Sequence, residues 1–167
     1  MRRAFVTERL VAEPLSLEHE SELRRLHTDE RVMARMGGAR PAEVSNAWIA
    51  RNLPHGEEAG LGIFVFRERA TGEFVGRGAL RRIEIGGGVE IEVGYALVPE
   101  QWGKGLATEM AVALAEHAES HGHRGLVAYA EPANAASRRV LEKASFRYER
   151  DLEHHGRAQV LYRRAAP

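Results

Sequence analysis

An α+β fold, with helices set around a mixed, mainly antiparallel sheet, follows from three features of the sequence. β-rich runs at 62–67, 74–83 and 89–98 succeed one another through Thr71-Gly72 and Gly86-Gly87-Gly88, which is the turn chemistry of an antiparallel meander. Two helical stretches precede the meander, and two more follow it among short apolar runs. Helices and strands therefore do not alternate as they would in a doubly wound parallel sheet.

Residues 10–12 form a first short strand. Ser16 with Glu18 and Glu20 makes the capped, acidic opening of a helix that turns Leu23 and Leu26 inward. The second helix follows Arg40. Pro41 suits its first position, Val44, Trp48 and Ile49 make one face, and Pro54-His55-Gly56 ends it. After the meander and a loop over 99–105, Leu106, Met110, Leu114 and Ala118 repeat at helical spacing and predict a helix over 106–121, capped by Gly122. Residues 125–130 form a short apolar strand, 134–144 a short helix, and 146–152 and 159–163 the last two strands. The expected order is β-α-α-β-β-β-α-β-α-β-β.

A chain of 167 residues fits one domain, 1–167, and a domain of that size buries roughly two-thirds of the surface its unfolded chain exposes. Basic and acidic residues balance at 24 each, so no overall field draws the protein to nucleic acid or anionic lipid. Cysteine is absent, which excludes disulfides, zinc-thiolate sites and thiol catalysis. The opening Met1-Arg2-Arg3-Ala4-Phe5-Val6-Thr7-Glu8 reaches an acid before any apolar stretch long enough for a signal peptide, and no spanning segment follows. The chain reads as cytoplasmic, with neither a membrane nor a nucleic-acid partner.

The segment Gln101-Trp102-Gly103-Lys104-Gly105-Leu106-Ala107 stands between a strand and a helix, where unpaired helix N-terminal amides converge on an anion. Glycines at 103 and 105 allow close backbone approach, and Lys104 adds a cation. Two glycines before a helix also suit a plain turn. A P-loop is disfavoured because Gly105, not Ser or Thr, follows Lys104; a dinucleotide loop is disfavoured because Thr108 stands at its third glycine.

Glu92-Val93-Gly94-Tyr95-Ala96-Leu97-Val98-Pro99, followed by Trp102-Gly103-Lys104-Gly105-Leu106-Ala107-Thr108-Glu109, resembles the coenzyme A motif of the GNAT superfamily, in the form seen in ribosomal-protein-alanine N-acetyltransferases (the RimJ/RimL subgroup). Thr7-Glu8-Arg9-Leu10 with Pro14-Leu15 resembles that subgroup's opening. Asn134-Ala135-Ala136-Ser137 with Leu141-Glu142-Lys143-Ala144-Ser145-Phe146 resembles its closing segment. The resemblance covers nearly the whole chain and implies the GNAT fold and transfer of an acetyl group from acetyl-CoA to a primary amine, by direct attack in a ternary complex. The implied acceptor is a protein N-terminal amine or a small molecule, with no metal, and a homodimer is compatible with it. A non-catalytic acyl-CoA sensor with the same fold is the alternative. Two residues depart from the pattern: Ser145 stands where the family usually has Gly, and Leu141 where many members carry a Tyr that protonates the leaving thiolate.

Amine acetylation needs a neutral amine, stabilisation of developing oxyanion charge and a proton for the leaving sulfur. Glu92 is the candidate base, directly or through a water; it shares a strand face with Glu90 and Gly94, and alternating acids also suit a solvated face. By resemblance, Ser137 is the candidate acid and Asn134 bonds the pantetheine arm; both residues also fit the start of a helix. The resemblance likewise assigns the coenzyme phosphates to the amides of Gly103, Lys104, Gly105, Leu106, Ala107 and Thr108, and gives pantetheine the strand backbone of Leu97 and Val98. His117, His121 and His123 carry no His-Glu-x-x-His pattern and sit where histidines complement a helix dipole, so they are not read as metal ligands.

Overall fold

The computed structural model describes residues 4–54 and 59–166. Strand β1 (Phe5–Val6) and strand β2 (Leu10–Pro14) lead through a 3-10 turn to helices α1 (Glu20–Thr28), α2 (Glu30–Met33) and α3 (Ala42–Asn52). Strands β3 (Gly62–Glu68), β4 (Phe74–Ile85) and β5 (Gly88–Leu97) make the meander. Helix α4 (Leu106–Ser120), strand β6 (Val127–Ala130), helix α5 (Ala135–Lys143) and strands β7 (Arg147–His154) and β8 (Arg157–Arg163) complete the chain.

The expected order is recovered with two additions, β1 and α2, each too short to carry a readable period. Three details of the second helix differ from expectation. Pro41 is its N-cap rather than its first residue. Val44 is 50% exposed, and Ser45 joins Trp48 and Ile49 on the buried face. Of the expected stop, His55 and Gly56 lie outside the described residues, as do Met1, Arg2 and Arg3 of the opening.

All eight strands belong to one sheet of order β1-β2-β3-β4-β5-β6-β8-β7. Its neighbours are antiparallel except β5 and β6, which run parallel and pair through Glu92 and Val127. Beyond that pair β5 continues to Leu97 along β4, while β6 keeps its ladder with β8. The sheet therefore splits after Glu92.

Alternation along the strands feeds a core on each face. Phe66, Leu80 and Val93 pack against Met110 and Leu114 of α4 and Leu141 of α5. Ile63, Val65 and Ala79 pack against Leu23 and Leu26 of α1 and Trp48 and Ile49 of α3. Gly78 lets α4 lie close on β4, since a Cβ there would come within 2.7 Å of Leu114. Gly122 ends α4 as expected: with φ of 88° it sits between His121 and His123, and the amides of Gly122 and His123 return to Glu119 and Ala118. Among the described residues no helix is long and apolar enough to cross a membrane.

Candidate active site

Strand β5 ends in a 3-10 turn, Pro99–Gln101, and the chain then makes two left-handed turns, at Gly103 (φ 73°) and Gly105 (φ 78°), before α4 begins. Those conformations suit glycine. None of the backbone N–H groups from Gly103 to Thr108 has an acceptor among the described residues. Six consecutive donors at the positive end of a fifteen-residue helix are thus available to an anion through the backbone alone. Lys104 Nζ donates to Gln101 Oε1 at 2.9 Å, so the expected cation is tethered beside the turn.

The N-terminal segment fastens this loop. Arg9 Nη1 donates to the Lys104 carbonyl at 2.8 Å, and Arg9 Nε to Glu109 Oε2 at 2.7 Å. Glu109 also accepts from the Thr7 hydroxyl and the Arg9 amide. Burial raises the Glu109 carboxyl, but the Thr7 and Arg9 bonds outweigh it and hold the group below its ordinary value.

Along the split, strand alternation decides which backbone groups are available. Val98 N–H donates to Val75 O at 3.0 Å and its carbonyl accepts from Gln101, so both its backbone groups are taken within the chain. The Leu97 carbonyl accepts from Trp102 Nε1 at 3.0 Å, which leaves the Leu97 N–H facing the split. Tyr95 has the same strand parity as Leu97, and its backbone faces the split too.

Glu92 and Ser137 stand on opposite faces of the sheet. Glu92 shares the α1–α3 face with Ala96, is 15% exposed at its side chain, and accepts from Arg81 Nη2 at 2.9 Å. That contact replaces the fully solvated acidic face as its surroundings. On the α4–α5 face, Asn134 Oδ1 caps α5 by accepting from Ser137 N–H at 3.2 Å. Ser137 Oγ lies 3.1 Å from the hydroxyl of Tyr95. Burial pushes the Tyr95 phenol up to about 12, against the effect of the Ser137 bond. Leu141 is wholly buried in the core and offers no proton donor.

Tyr95 was not singled out by spacing, because its partner reaches it from α5, 42 positions on in the chain. Arg81 and Tyr129 were also missed. Tyr129, on β6, shares the Glu92 face, stacks on His154 with centroids 4.5 Å apart, and has a buried hydroxyl without a partner among the described residues. Of the histidines, His117 stacks on Phe5 at 4.4 Å and His123 Nε2 lies 2.8 Å from Ala59 O. Among the described residues no group of three or more His, Cys, Asp or Glu side chains could hold a metal.

Comparison with known proteins places these features in a family. Residues 9–147 match the sequence model of the acetyltransferase (GNAT) domain. The uncharacterized protein YkkB of Bacillus subtilis is 26% identical over 140 residues, which are 83% of this chain and 81% of YkkB. An acetyltransferase structure from Agrobacterium tumefaciens superposes with a TM-score of 0.83 at 25% identity, covering 96% of this chain and 93% of that one. RimL, described as a ribosomal L7/L12 α-N-protein acetyltransferase and solved with coenzyme A, shares the fold with a TM-score of 0.81 at 18% identity, covering 98% of each chain.

Proposed function

The chain belongs to the GNAT acetyltransferase family, and from that premise we propose that it moves the acetyl group of acetyl-CoA to a primary amine by direct attack in a ternary complex. The observation that carries this reading is the row of six unpaired amides from Gly103 to Thr108, opening beside a split in the sheet that exposes the backbone of β5. The donors fit a pyrophosphate in number and kind, and the split fits an extended amide-bearing arm such as pantetheine.

When bound, acetyl-CoA supplies a thioester-activated acetyl group. The Leu97 and Tyr95 amides orient the arm along β5, and Asn134 stands at the start of α5 beside it. Glu92 receives the amine proton, directly or through one water, as the new C–N bond forms. On the opposite face, the Tyr95 and Ser137 hydroxyls deliver a proton to the sulfur as the C–S bond breaks. Placing base and acid on opposite sides of the sheet lets the amine approach and the thiol depart without competing for space. An α-amine, with a pKa near roughly 8, leaves Glu92 less to do than a lysine would. The likeness to RimL favours a protein N-terminal amine as acceptor.

Coenzyme A release from acetyl-CoA, measured against N-terminal peptides and small amines, tests the reading. At least one amine should accelerate release, and Glu92→Gln should lower kcat while preserving the coenzyme-induced rise in Tm. Coenzyme binding with no transfer to any amine would favour a sensor instead.

A further inference from the structure

Arginines on this protein are generally paired: Arg9 with Glu109, Arg31 with Asp29, Arg67 with Glu13 and Glu22, Arg163 with Glu90 and Glu149, Arg164 with Glu119. Beside Glu92 the balance is different: three arginines stand there with one ion pair between them among the described residues, that of Arg81 with Glu92. On β4, Arg77, Ala79 and Arg81 alternate onto the α1–α3 face. Arg77 is 4% exposed, donates to His27 Nε2 at 3.2 Å and lies 4.9 Å from the Trp48 ring centroid, with no carboxylate bonded to it among the described residues. Arg40, in the loop before α3, is partly buried, and its guanidinium has no partner among the described residues. Arg81 bonds Glu92 through Nη2, but its Nε is buried without a partner among the described residues. Across the site the Tyr129 hydroxyl is buried and unpartnered as well.

Arg81 bonds the Glu92 carboxylate, and Arg77 and Arg40 meet at His27 beside it, the Arg77 guanidinium donating to His27 Nε2 at 3.2 Å and the Arg40 amide to the His27 carbonyl at 2.8 Å. The arginines feel one another: Arg77 is pushed down to about 9, first by burial and then by Arg81 and Arg40, which the opposing pull of Glu92 does not cancel, and Arg40 is lowered by burial, Arg81 and Arg51. An uncompensated buried charge and an unsatisfied buried donor are both costly to a folded chain. A ligand that brings an anion and a hydrogen-bonding group would offset both. The coenzyme phosphates do not fill this role, since the unpaired amides open at the start of α4, which packs on the other face.

Resting on the reading that the acceptor approaches at Glu92, we propose that the acceptor amine also carries a carboxylate, held by Arg40 and Arg81 while Glu92 and Tyr129 face the amine. The carboxylate accepts from the free Arg81 Nε–H and the Arg40 guanidinium, and Arg77 contributes its field from beneath Trp48. Two sources share this chemistry, a free amino acid and a peptide beginning with Asp or Glu.

The test compares acids with their amides. Free L-amino acids are assayed against their α-amides, and amidated tripeptides beginning with Asp or Glu against those beginning with Asn or Gln. In one of the two series the acid should exceed its amide by about tenfold or more in kcat/KM, mainly through KM, and that series identifies the source. Arg40→Gln should bring the ratio toward one while retaining the coenzyme A rise in Tm, which certifies its fold. Acid and amide used equally by the wild type, or an Arg40→Gln variant that lowers both members alike, would overturn the proposal. If no amine is acetylated, the transferase reading fails separately. The proposal is then decided by whether the same acids, added with coenzyme A, raise Tm in the wild type and not in Arg40→Gln.

Discussion

The Tyr95 hydroxyl and Ser137 Oγ stand 3.1 Å apart, joining strand β5 to the first turn of α5 on one side of the split sheet. Of the two, the phenol is the better proton donor even when burial has raised it to about 12. Tyr95→Phe and Ser137→Ala should each reduce kcat by about one to two orders of magnitude with little change in KM for acetyl-CoA. The double variant should lose scarcely more than the worse single, because the hydroxyls act as a unit. A Ser137→Ala enzyme with full activity and normal Tm would leave Ser137 as a first-turn residue only.

Gly105→Glu should abolish the coenzyme A-induced rise in Tm. The backbone at φ 78° disfavours a side chain, and the new carboxylate would lie where six amides present positive charge. Gly105→Ala isolates the backbone part and should cost about 1–2 kcal/mol of stability. Equal coenzyme shifts in wild type and Gly105→Glu would remove the phosphates from this loop.

Stability should fall on mild acidification. His27 is wholly buried; its Nε2 accepts from Arg77, so its proton sits on Nδ1 toward Ser45 Oγ. Burial, then the Arg77 and Arg40 charges, pushes it down to about 3. The unfolded chain binds this proton near pH 6.5, so the contribution of His27 is complete above that pH and is lost as pH falls toward 3. The loss reaches about 2 kcal/mol at pH 5. Urea unfolding at pH 7 and pH 5 should show this difference shrinking in His27→Gln. An unchanged pH dependence would contradict the assignment.

Ser145 closes α5 in a left-handed conformation, φ 66°, with its amide returned to Glu142 and the Phe146 amide to Leu141. Glycine adopts that geometry without a Cβ clash. Ser145→Gly should therefore raise stability by about 0.5–1 kcal/mol in thermal or chemical unfolding, with kcat untouched.

The glycine turn before α4 was legible because its signal is local: two glycines, a strand before and a helix after. Glu92 was legible as a strand residue, but not as the partner of Arg81, since facing residues in a hairpin depend on register. The fate of Val98 shows the same limit. Residue type does not say which edge of a strand its amide faces, and here that edge belongs to β4. Arg40, Arg77 and Arg81 come from a loop and two positions on one strand, and in sequence nothing distinguishes them from the other arginines. That they gather beside a single carboxylate becomes visible only when α1 and α3 cover β4.

The bonds from Thr7 and Arg9 to Glu109 and Lys104 make the beginning of the chain a buttress for a loop about a hundred residues later. Handling of the N-terminus thus becomes a matter of ligand affinity. A deletion through residue 9 would leave every loop residue in place yet release the carbonyl of Lys104 and the first turn of α4. Coenzyme binding, in turn, should slow amide hydrogen–deuterium exchange in strand β2 as well as at the loop. An affinity tag is better carried at the other end of the polypeptide.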